Sequence, residues 1–256
     1  MEEKKQMHIQ LGRDQAAKYA FVPGNPDRCT RIADQMDNAR FLVQHREFTS
    51  YEGYLDGEKV LVVSTGIGGP SSAICMEELH KIGVDTFVRI GTCASLSPKV
   101  QRGDVVIPNG IVRMEGTSLH YLPMEFPAVP TYELLKHLEA ASLAKGFEPK
   151  IGVNITKDSF YTQTEPETKP VAYDLVNRWN AYVKGGAEST SMESATLFIV
   201  AAALGVRVAT VLVSATDGAG NRGEGSYPID IEHRAIEVGI EGMRRIIGAD
   251  RAKSKQ

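Results

Sequence analysis

The chain alternates between short apolar runs of strand length and longer segments in which apolar residues recur with the period of a helix. The strand-length runs cover residues 19–22, 60–64, 86–90, 105–107, 152–155 and 208–213. Strands that alternate with helices are typical of an α/β fold with a mostly parallel or mixed sheet. The pattern therefore predicts an α/β protein in which helices flank a central sheet.

Three segments have the pattern of helices. In residues 192–204, apolar side chains recur three or four positions apart along one stripe. Pro70 suits the first residue of a second helix that runs to about Ile82, and Gly83 is placed to end it. Residues 229–247 are predicted as a long C-terminal helix, and residues 251–256 as a frayed, solvated tail.

Composition and charge narrow the possible partners. The chain has 256 residues and no linker-like segment, so we predict one domain over residues 1–256. Its 29 basic and 32 acidic residues give a net charge of −3, and the dispersed basic residues argue against a nucleic-acid partner. Because no apolar run reaches the ~20 residues of a membrane span and the N-terminus is polar, we expect neither a membrane anchor nor a signal peptide.

Cysteine and histidine usage argues against disulfides and transition-metal sites. Three cysteines, an odd number without a CxxC pair, indicate a reducing compartment, and we expect a cytoplasmic protein. The six histidines lack an HxxxH-type spacing, so we expect no zinc site. Cys93 has no neighbouring histidine and acid that would activate it as a nucleophile.

Arg89 lies inside a segment that otherwise has the pattern of a buried strand, residues 86–90. An unpaired charge buried there would cost several kcal/mol, so Arg89 requires an anionic partner. A bound anion or a structural ion pair would each satisfy it.

Glycine-rich and polar loops follow several predicted strands. Residues 65–70 join a strand to a helix, where backbone N–H groups often bind an anion, but tight strand–helix packing would explain the same glycines. The loop is not a dinucleotide fingerprint, because Ser71 stands where the third glycine would be. The long loops 158–170 and 214–228 are either binding segments or mobile surface.

Seven short motifs, in order along nearly the whole chain, resemble those of the nucleoside phosphorylases, and more narrowly of the uridine phosphorylase branch. They are VPGNPDR at 22–28, HREF at 45–48, STGIGGPS at 64–71, RIGT at 89–92, EFPAV at 125–129, FY at 160–161 and MESATL at 192–197. The resemblance implies a single α/β domain with a mixed, twisted, barrel-like sheet flanked by helices. It also implies a pentosyltransferase that uses inorganic phosphate as co-substrate and needs no organic cofactor.

The resemblance assigns residues to phosphate and to the sugar. Phosphate would be held by Gly24, Arg28, Arg46, Arg89 and Thr92, with Arg46 supplied by a neighbouring subunit. The sugar would be held by His8, Met192 and Glu193, and Arg89 and Glu193 would be the catalytic residues. Taken singly, each has a plainer interpretation: Arg28 and Arg46 as solvated surface charges, Glu193 as a favourable charge at a helix N-terminus, Met192 as core and His8 as an exposed terminal residue.

The base-binding residues depart from the family pattern. The resemblance assigns the base to Cys93, Ala94, Phe160, Gln163, Thr168 and Lys169. Thr168 stands where relatives have an arginine that donates to uracil, and Lys169 could supply the charge but not the rigid fork. Asp217 is either the aspartate that purine-specific relatives use or a turn residue in an Asp-Gly step.

The resemblance also implies shared sites between subunits. It predicts an obligate dimer, commonly assembled into a hexamer of three dimers. Glu47, Ile67 and Ser71 match positions that some relatives use for a monovalent cation such as potassium at the dimer interface, although Glu47 could equally pair with a local arginine.

The leading hypothesis is a nucleoside phosphorylase that cleaves uridine or a related pyrimidine nucleoside. The alternatives are a phosphorylase with a purine or modified-base preference, a nucleosidase that uses water, and a non-catalytic nucleoside- or phosphate-binding relative. The altered base-binding positions keep the last alternative open.

Overall fold

A computed structural model describes residues 5–218 and 229–254. The strands are β1 (Tyr19–Phe21), β2 (Asp37–His45), β3 (Phe48–Leu55), β4 (Glu58–Val63), β5 (Thr86–Ser95), β6 (Val105–Met114), β7 (Lys150–Lys157), β8 (Ala187–Ser191) and β9 (Arg207–Ser214). The helices are α1 (Pro26–Ala33), α2 (Gly69–Ile82), α3 (Tyr132–Ala144), α4 (Tyr161–Thr164), α5 (Ala172–Lys184), α6 (Ser194–Leu204) and α7 (Ile229–Lys253).

The strands form one mixed sheet in the order β2-β3-β4-β1-β5-β8-β7-β6-β9. Strand β9 pairs with β6 and also, in parallel, with β5 over residues 207–214, which closes five strands into a barrel. The remaining four strands extend from β5 as an open wing. The predicted α/β fold with a mixed, barrel-like sheet is confirmed.

Helices cover both faces of this sheet because consecutive strand residues point to opposite sides. On one face, Phe21 and Ile90 belong to a core that includes apolar residues of α3 and α7. On the other face, Ala20 and Phe87 pack in a second core with residues of α2 and α6. No helix within the described ranges is both long and apolar enough to cross a bilayer.

Each of the six apolar runs lies within or overlaps a strand, and both predicted ends of the second helix are confirmed to within one residue. Helix α2 has Pro70 in its first turn and ends at Gly83, whose φ of 119° is in the left-handed region that glycine adopts without strain. The expectation of a frayed tail from residue 251 is wrong for residues 251–253, which continue α7. There Arg251 donates from Nη1 to the carbonyl oxygen of Asp56 at 2.8 Å.

Strands β2, β3 and β8 were not predicted. Most side chains of β2 are exposed and its apolar run is limited to residues 41–43, and β8 has the polar sequence Ala-Glu-Ser-Thr-Ser. The hairpin of β2 and β3 turns through Arg46 and Glu47, and Arg46 has a φ of 54°. A left-handed conformation is strained for a residue other than glycine.

Candidate active site

A cavity of about 700 Å³ lies where the carboxyl ends of the parallel strands β1, β4, β5 and β9 come together with the ends of β7 and β8. The predicted site residues that line it are Gly24, Arg28, Glu47, Ile67, Arg89, Thr92, Cys93, Ala94, Phe160, Gln163, Met192 and Glu193. These residues come from six separate parts of the chain. The structure therefore brings together most of the residues that the resemblance assigned.

Arg89 is the central charge of this cavity. It is 3% exposed, and its Nη2 donates to Oε2 of Glu193. Its Nε and Nη1 are also buried and have no hydrogen-bond partner among the described residues. Burying a polar group without a partner costs free energy, so these two N–H groups are suited to an incoming anion.

Glu193 is fixed from two sides. It immediately precedes α6, which begins two residues later than predicted, and its Oε1 accepts a hydrogen bond of 2.9 Å from the backbone N–H of Gly68. The 65–70 loop thus uses one of its N–H groups for a carboxylate of the chain itself. Its neighbour Gly69 is a packing glycine, because a Cβ there would lie 2.6 Å from Oγ1 of Thr117.

Arg28 is buried and not a solvated surface charge. Its Nε donates to Oε1 of Glu232 on α7, and its Nη1 donates to the carbonyl oxygen of Ile90 at 3.1 Å. Gly24 lies close to the Arg89 side chain. A Cβ at this position would come within 3.3 Å of the Gly66 carbonyl oxygen and 3.7 Å of the Arg89 guanidinium. The distance to arginine is an ordinary van der Waals contact, so the tight approach to the Gly66 carbonyl is what favours glycine at this position.

The segment that follows β7 forms one wall of the cavity. It folds into α4 and a short 3₁₀ turn and contributes Phe160, Gln163 and Thr164 to the cavity, which favours the binding interpretation of the 158–170 loop. Cys93 lies on the opposite strand, where burial raises the pKa of its thiol to about 12. The thiol is therefore neutral near pH 7 and a poor nucleophile.

Thr168 and Lys169 do not line the cavity as the described residues define it. Thr168 donates from Oγ1 to the carbonyl oxygen of Glu165 at 2.8 Å, and Nζ of Lys169 lies 3.7 Å from the Glu165 carboxylate. Both side chains are thus engaged within their own turn. The structure does not bring them together with Phe160 and Gln163.

His8, Arg46 and Ser71 also lie outside the cavity lining. His8 contacts the carboxylate of Glu78 through its backbone N–H and through Nδ1, at 2.9 and 2.7 Å, so it is not a free terminal residue. Arg46 is exposed at the hairpin turn. Ser71 donates from Oγ to the carbonyl oxygen of Ile67 at 3.3 Å.

Asp217 is described but is not among the lining residues, although its neighbours Ala215 and Thr216 are. Gly218 beside it packs closely, since a Cβ there would lie 2.7 Å from the carbonyl oxygen of Ser97. Most of the 214–228 loop, from residue 219 onward, lies outside the described residues.

Two residues of the site were missed from the sequence. Glu232 is 204 positions from Arg28, and no local pattern indicates their pairing. Lys157 lines the cavity at the end of β7, where burial lowers the pKa of its amine to about 7. The signal that identified Arg89, a charge in or at the end of a buried strand, would also have found Lys157.

Comparison with known proteins shows which family the chain belongs to. A family model described as the phosphorylase superfamily matches residues 18–247. The chain belongs to the phosphorylase superfamily. The predicted resemblance to nucleoside phosphorylases is thereby confirmed.

Named members of the superfamily match over most of their length. A uridine phosphorylase of Haemophilus influenzae is 42% identical over 82% of this chain and 86% of its own, and one of Treponema pallidum is 37% identical over 95% of each. A guanosine phosphorylase of Halorubrum lacusprofundi is 35% identical over 81% of each chain. The superfamily thus includes relatives named for both kinds of base at similar identity.

Proposed function

We propose that the protein is a pentosyltransferase that catalyses the reversible, phosphate-dependent cleavage of uridine, or a related pyrimidine nucleoside, to ribose 1-phosphate and free base. The observation that carries the proposal is Arg89, which presents two buried N–H groups without a partner among the described residues to a cavity that also holds Glu193. The similarity to several proteins named uridine phosphorylase supports uridine as the nucleoside.

The phosphate would occupy the part of the cavity formed by Gly24, Arg28, Arg89 and Thr92. Guanidinium groups bind phosphate through paired, charge-assisted hydrogen bonds, and two buried arginines suit a dianion better than a single carboxylate. Glu232 and the Ile90 carbonyl hold Arg28 in place before the ligand arrives, which lowers the cost of ordering it.

Glu193 would bind the ribose hydroxyls, with Met192 against the sugar. In phosphorolysis a phosphate oxygen bonds to the anomeric carbon while the bond from that carbon to the base breaks, and the electron pair of that bond passes to the base. The sugar gains positive charge in this transition state, so a fixed carboxylate stabilises it. The hydrogen bond from Gly68 and the ion pair with Arg89 keep Glu193 oriented.

Phe160 would stack on the base and Gln163 would bind its edge. An amide offers one acceptor and two donors, which match the adjacent carbonyl and N–H groups of uracil. Cys93 and Ala94 line the same cavity and limit the space beside the ring. Thr168 and Lys169 have no part in this proposal.

The site would be completed by a second subunit. Arg46 is exposed at a strained hairpin turn, and His8 lies outside the cavity of its own chain, which supports a dimer that exchanges these residues. We extend the proposal to a homohexamer of three such dimers and to a potassium ion near Glu47, Ile67 and Ser71. Three free, buried cysteines are compatible with a cytoplasmic protein that acts in pyrimidine salvage.

A purine nucleoside is the second candidate substrate, favoured by the similarity to a guanosine phosphorylase. The test is release of free base from uridine, thymidine, cytidine, inosine, guanosine and adenosine, with and without phosphate. Phosphate-dependent release of uracil is the expected result. Release of a purine base would favour the second candidate substrate. Release of base without phosphate would indicate a nucleosidase. Nucleoside binding without turnover would indicate a non-catalytic relative.

A further inference from the structure

Lys157 is a buried amine at the junction of two cavities. It is the last residue of β7 and is 5% exposed. Its side chain lines the 700 Å³ cavity described above and also a neighbouring cavity of about 260 Å³ that Trp179 and Glu167 help to form. Gln163 lines both cavities as well.

The amine has no polar partner among the described residues. Its Nζ makes no hydrogen bond there, and the carboxylate next to it in sequence, Asp158, accepts instead from the backbone N–H of Gly116 at 2.8 Å. The amine lies 5.4 Å from the ring centroid of Phe160 and 5.7 Å from that of Trp179. Aromatic faces attract a cation but do not accept its hydrogen bonds in the way that oxygen does.

The other charged groups around Lys157 are engaged elsewhere or belong to the cavity walls. In the large cavity they are Arg28, Arg89 and Glu193, which form ion pairs, and Glu47. In the small cavity they are Asp158 and Glu167. On the strands beside β7, Arg113 donates to backbone carbonyls, and Glu188 is paired with Lys99 at 3.5 Å.

We propose that Lys157 donates a hydrogen bond to a carbonyl oxygen of the bound nucleobase and stabilises the negative charge that the base acquires as its bond to the sugar breaks. This inference rests on the proposed function. It follows from three observations: the unpartnered donor, its position in the cavity lining, and its contact with Phe160, the ring assigned to stack on the base. A base carbonyl would supply the missing acceptor.

This assignment gives the site the cationic donor that Thr168 and Lys169 do not provide. A charged donor at a leaving group strengthens its hydrogen bond as negative charge builds up, so its effect is larger in the transition state than in the substrate complex. The lowered pKa of the amine also follows from its surroundings, since burial destabilises the charged form.

The principal test compares Lys157→Met with Lys136→Met. Lys136 lies 5.5 Å from the ring centroid of Tyr132 on an exposed helix surface. It is therefore a matched control, because it is a lysine over an aromatic ring but does not line the cavity.

The measured quantities are kcat/KM for uridine, KM for phosphate, and inhibition by free uracil. For Lys157→Met we expect kcat/KM to fall about 10- to 100-fold and uracil inhibition to weaken about 10-fold or more, with KM for phosphate within about twofold. Lys136→Met should match the unaltered protein.

The inference is overturned if Lys157→Met keeps kcat/KM for uridine within about twofold, or if KM for phosphate rises as much as uracil inhibition weakens. The second result would place the amine at the phosphate. Absence of phosphate-dependent cleavage in the unaltered protein would refute the proposed function itself, and this inference with it.

A second variant, Lys157→Arg, separates contact with the base from a structural role. The pH dependence of kcat/KM in the unaltered protein should show a decline above about pH 7, where the amine loses its proton. Lys157→Arg should retain more activity than Lys157→Met and lack this decline, because a guanidinium stays charged over the whole range. If the decline persists in Lys157→Arg, another group causes it and the inference fails. This test holds even if Lys157→Met does not fold.

Discussion

Arg89 and Glu193 lie 104 residues apart in the chain, yet their buried side chains form an ion pair inside one cavity. The pair leaves two N–H groups of Arg89 without a partner among the described residues, and it leaves Oε1 of Glu193 bonded to the N–H of Gly68. One contact thus couples the group proposed to bind phosphate to the group proposed to bind the sugar.

Glu193→Gln tests the sugar-binding role of this carboxylate. The amide keeps its size and an oxygen for the Gly68 N–H but loses the charge that would stabilise the cation-like sugar. We expect kcat to fall about 100-fold and KM for phosphate to change much less. Glu188→Gln, a carboxylate outside the cavity, is the control in the same steady-state assay. Equal losses in kcat and in phosphate affinity would remove the sugar role.

Glu232→Gln tests whether α7 holds Arg28 for an anion. Removing the charge of Glu232 breaks its buried ion pair with Arg28 and its pair with Arg31, so we expect a loss of roughly 3–5 kcal/mol in the free energy of unfolding. Glu241→Gln on the same helix breaks the more exposed pair with Arg245 and should cost less than about 1 kcal/mol.

Inorganic phosphate should recover part of the stability lost in Glu232→Gln. A ligand that binds the folded state raises its stability, and the loss of the Glu232 charge should make a bound anion more favourable. The measurement is thermal unfolding with and without phosphate. If phosphate raises the Tm of Glu232→Gln and of the unaltered protein by the same amount, Arg28 is not at the phosphate.

Lys157→Met should stabilise the folded protein at neutral and acidic pH. The folded-state pKa of Lys157, about 7, lies below its usual value of 10.5, so the unfolded chain binds more protons between these values. The unfolding free energy of the unaltered protein therefore rises with pH across this window, and the full cost of the buried charge applies below pH 7. We expect Lys157→Met to gain roughly 1–3 kcal/mol at pH 6.

That gain should shrink by roughly 1–2 kcal/mol between pH 7 and pH 9, because the native amine is by then largely neutral. Denaturant unfolding at both pH values measures it. A gain that does not depend on pH would mean that the stabilisation comes from packing and not from the charge.

Arg46→Ala tests the shared site by complementation. Arg46 is exposed and has a positive φ, so its replacement should leave the Tm almost unchanged while activity falls about 100-fold. Mixing Arg46→Ala with Glu193→Gln subunits under exchange conditions should restore activity, because one site in each mixed dimer then holds both native residues. If exchanged mixtures stay inactive, Arg46 does not reach a neighbouring cavity.

The sequence was most informative where a chemical conflict was visible in it. Arg89 inside an apolar strand required an anionic partner, and the structure shows Glu193 in that role. Gly83 indicated where the second helix ends, and α2 does end there. The motifs predicted most of the cavity lining because most of them lie in a strand or just after one, whereas EFPAV at 125–129 lies outside the strands and contributes no lining residue. The resemblance also assigned Thr168 and Lys169 to the base, and in the structure both side chains interact with Glu165 in their own turn and do not line the cavity.

Relations between distant segments could not be read from the chain. Strand β8 is too polar to show an apolar run, and the parallel pairing of β5 with β9 that closes the barrel joins residues more than 100 positions apart. The ion pair of Arg28 with Glu232 likewise joins residues that are far apart in the chain. Such contacts depend on the assembled sheet and helices and leave no local signature.

The pairing of Arg28 with Glu232 also sets an order of events during synthesis. Arg28 is translated early, whereas its carboxylate lies on the helix that begins at Ile229. The Glu232 carboxylate can therefore reach Arg28 only after this helix has emerged from the ribosome and docked. If Arg28 binds phosphate as proposed, the chain should become competent to bind it only late in synthesis, when α7 has docked.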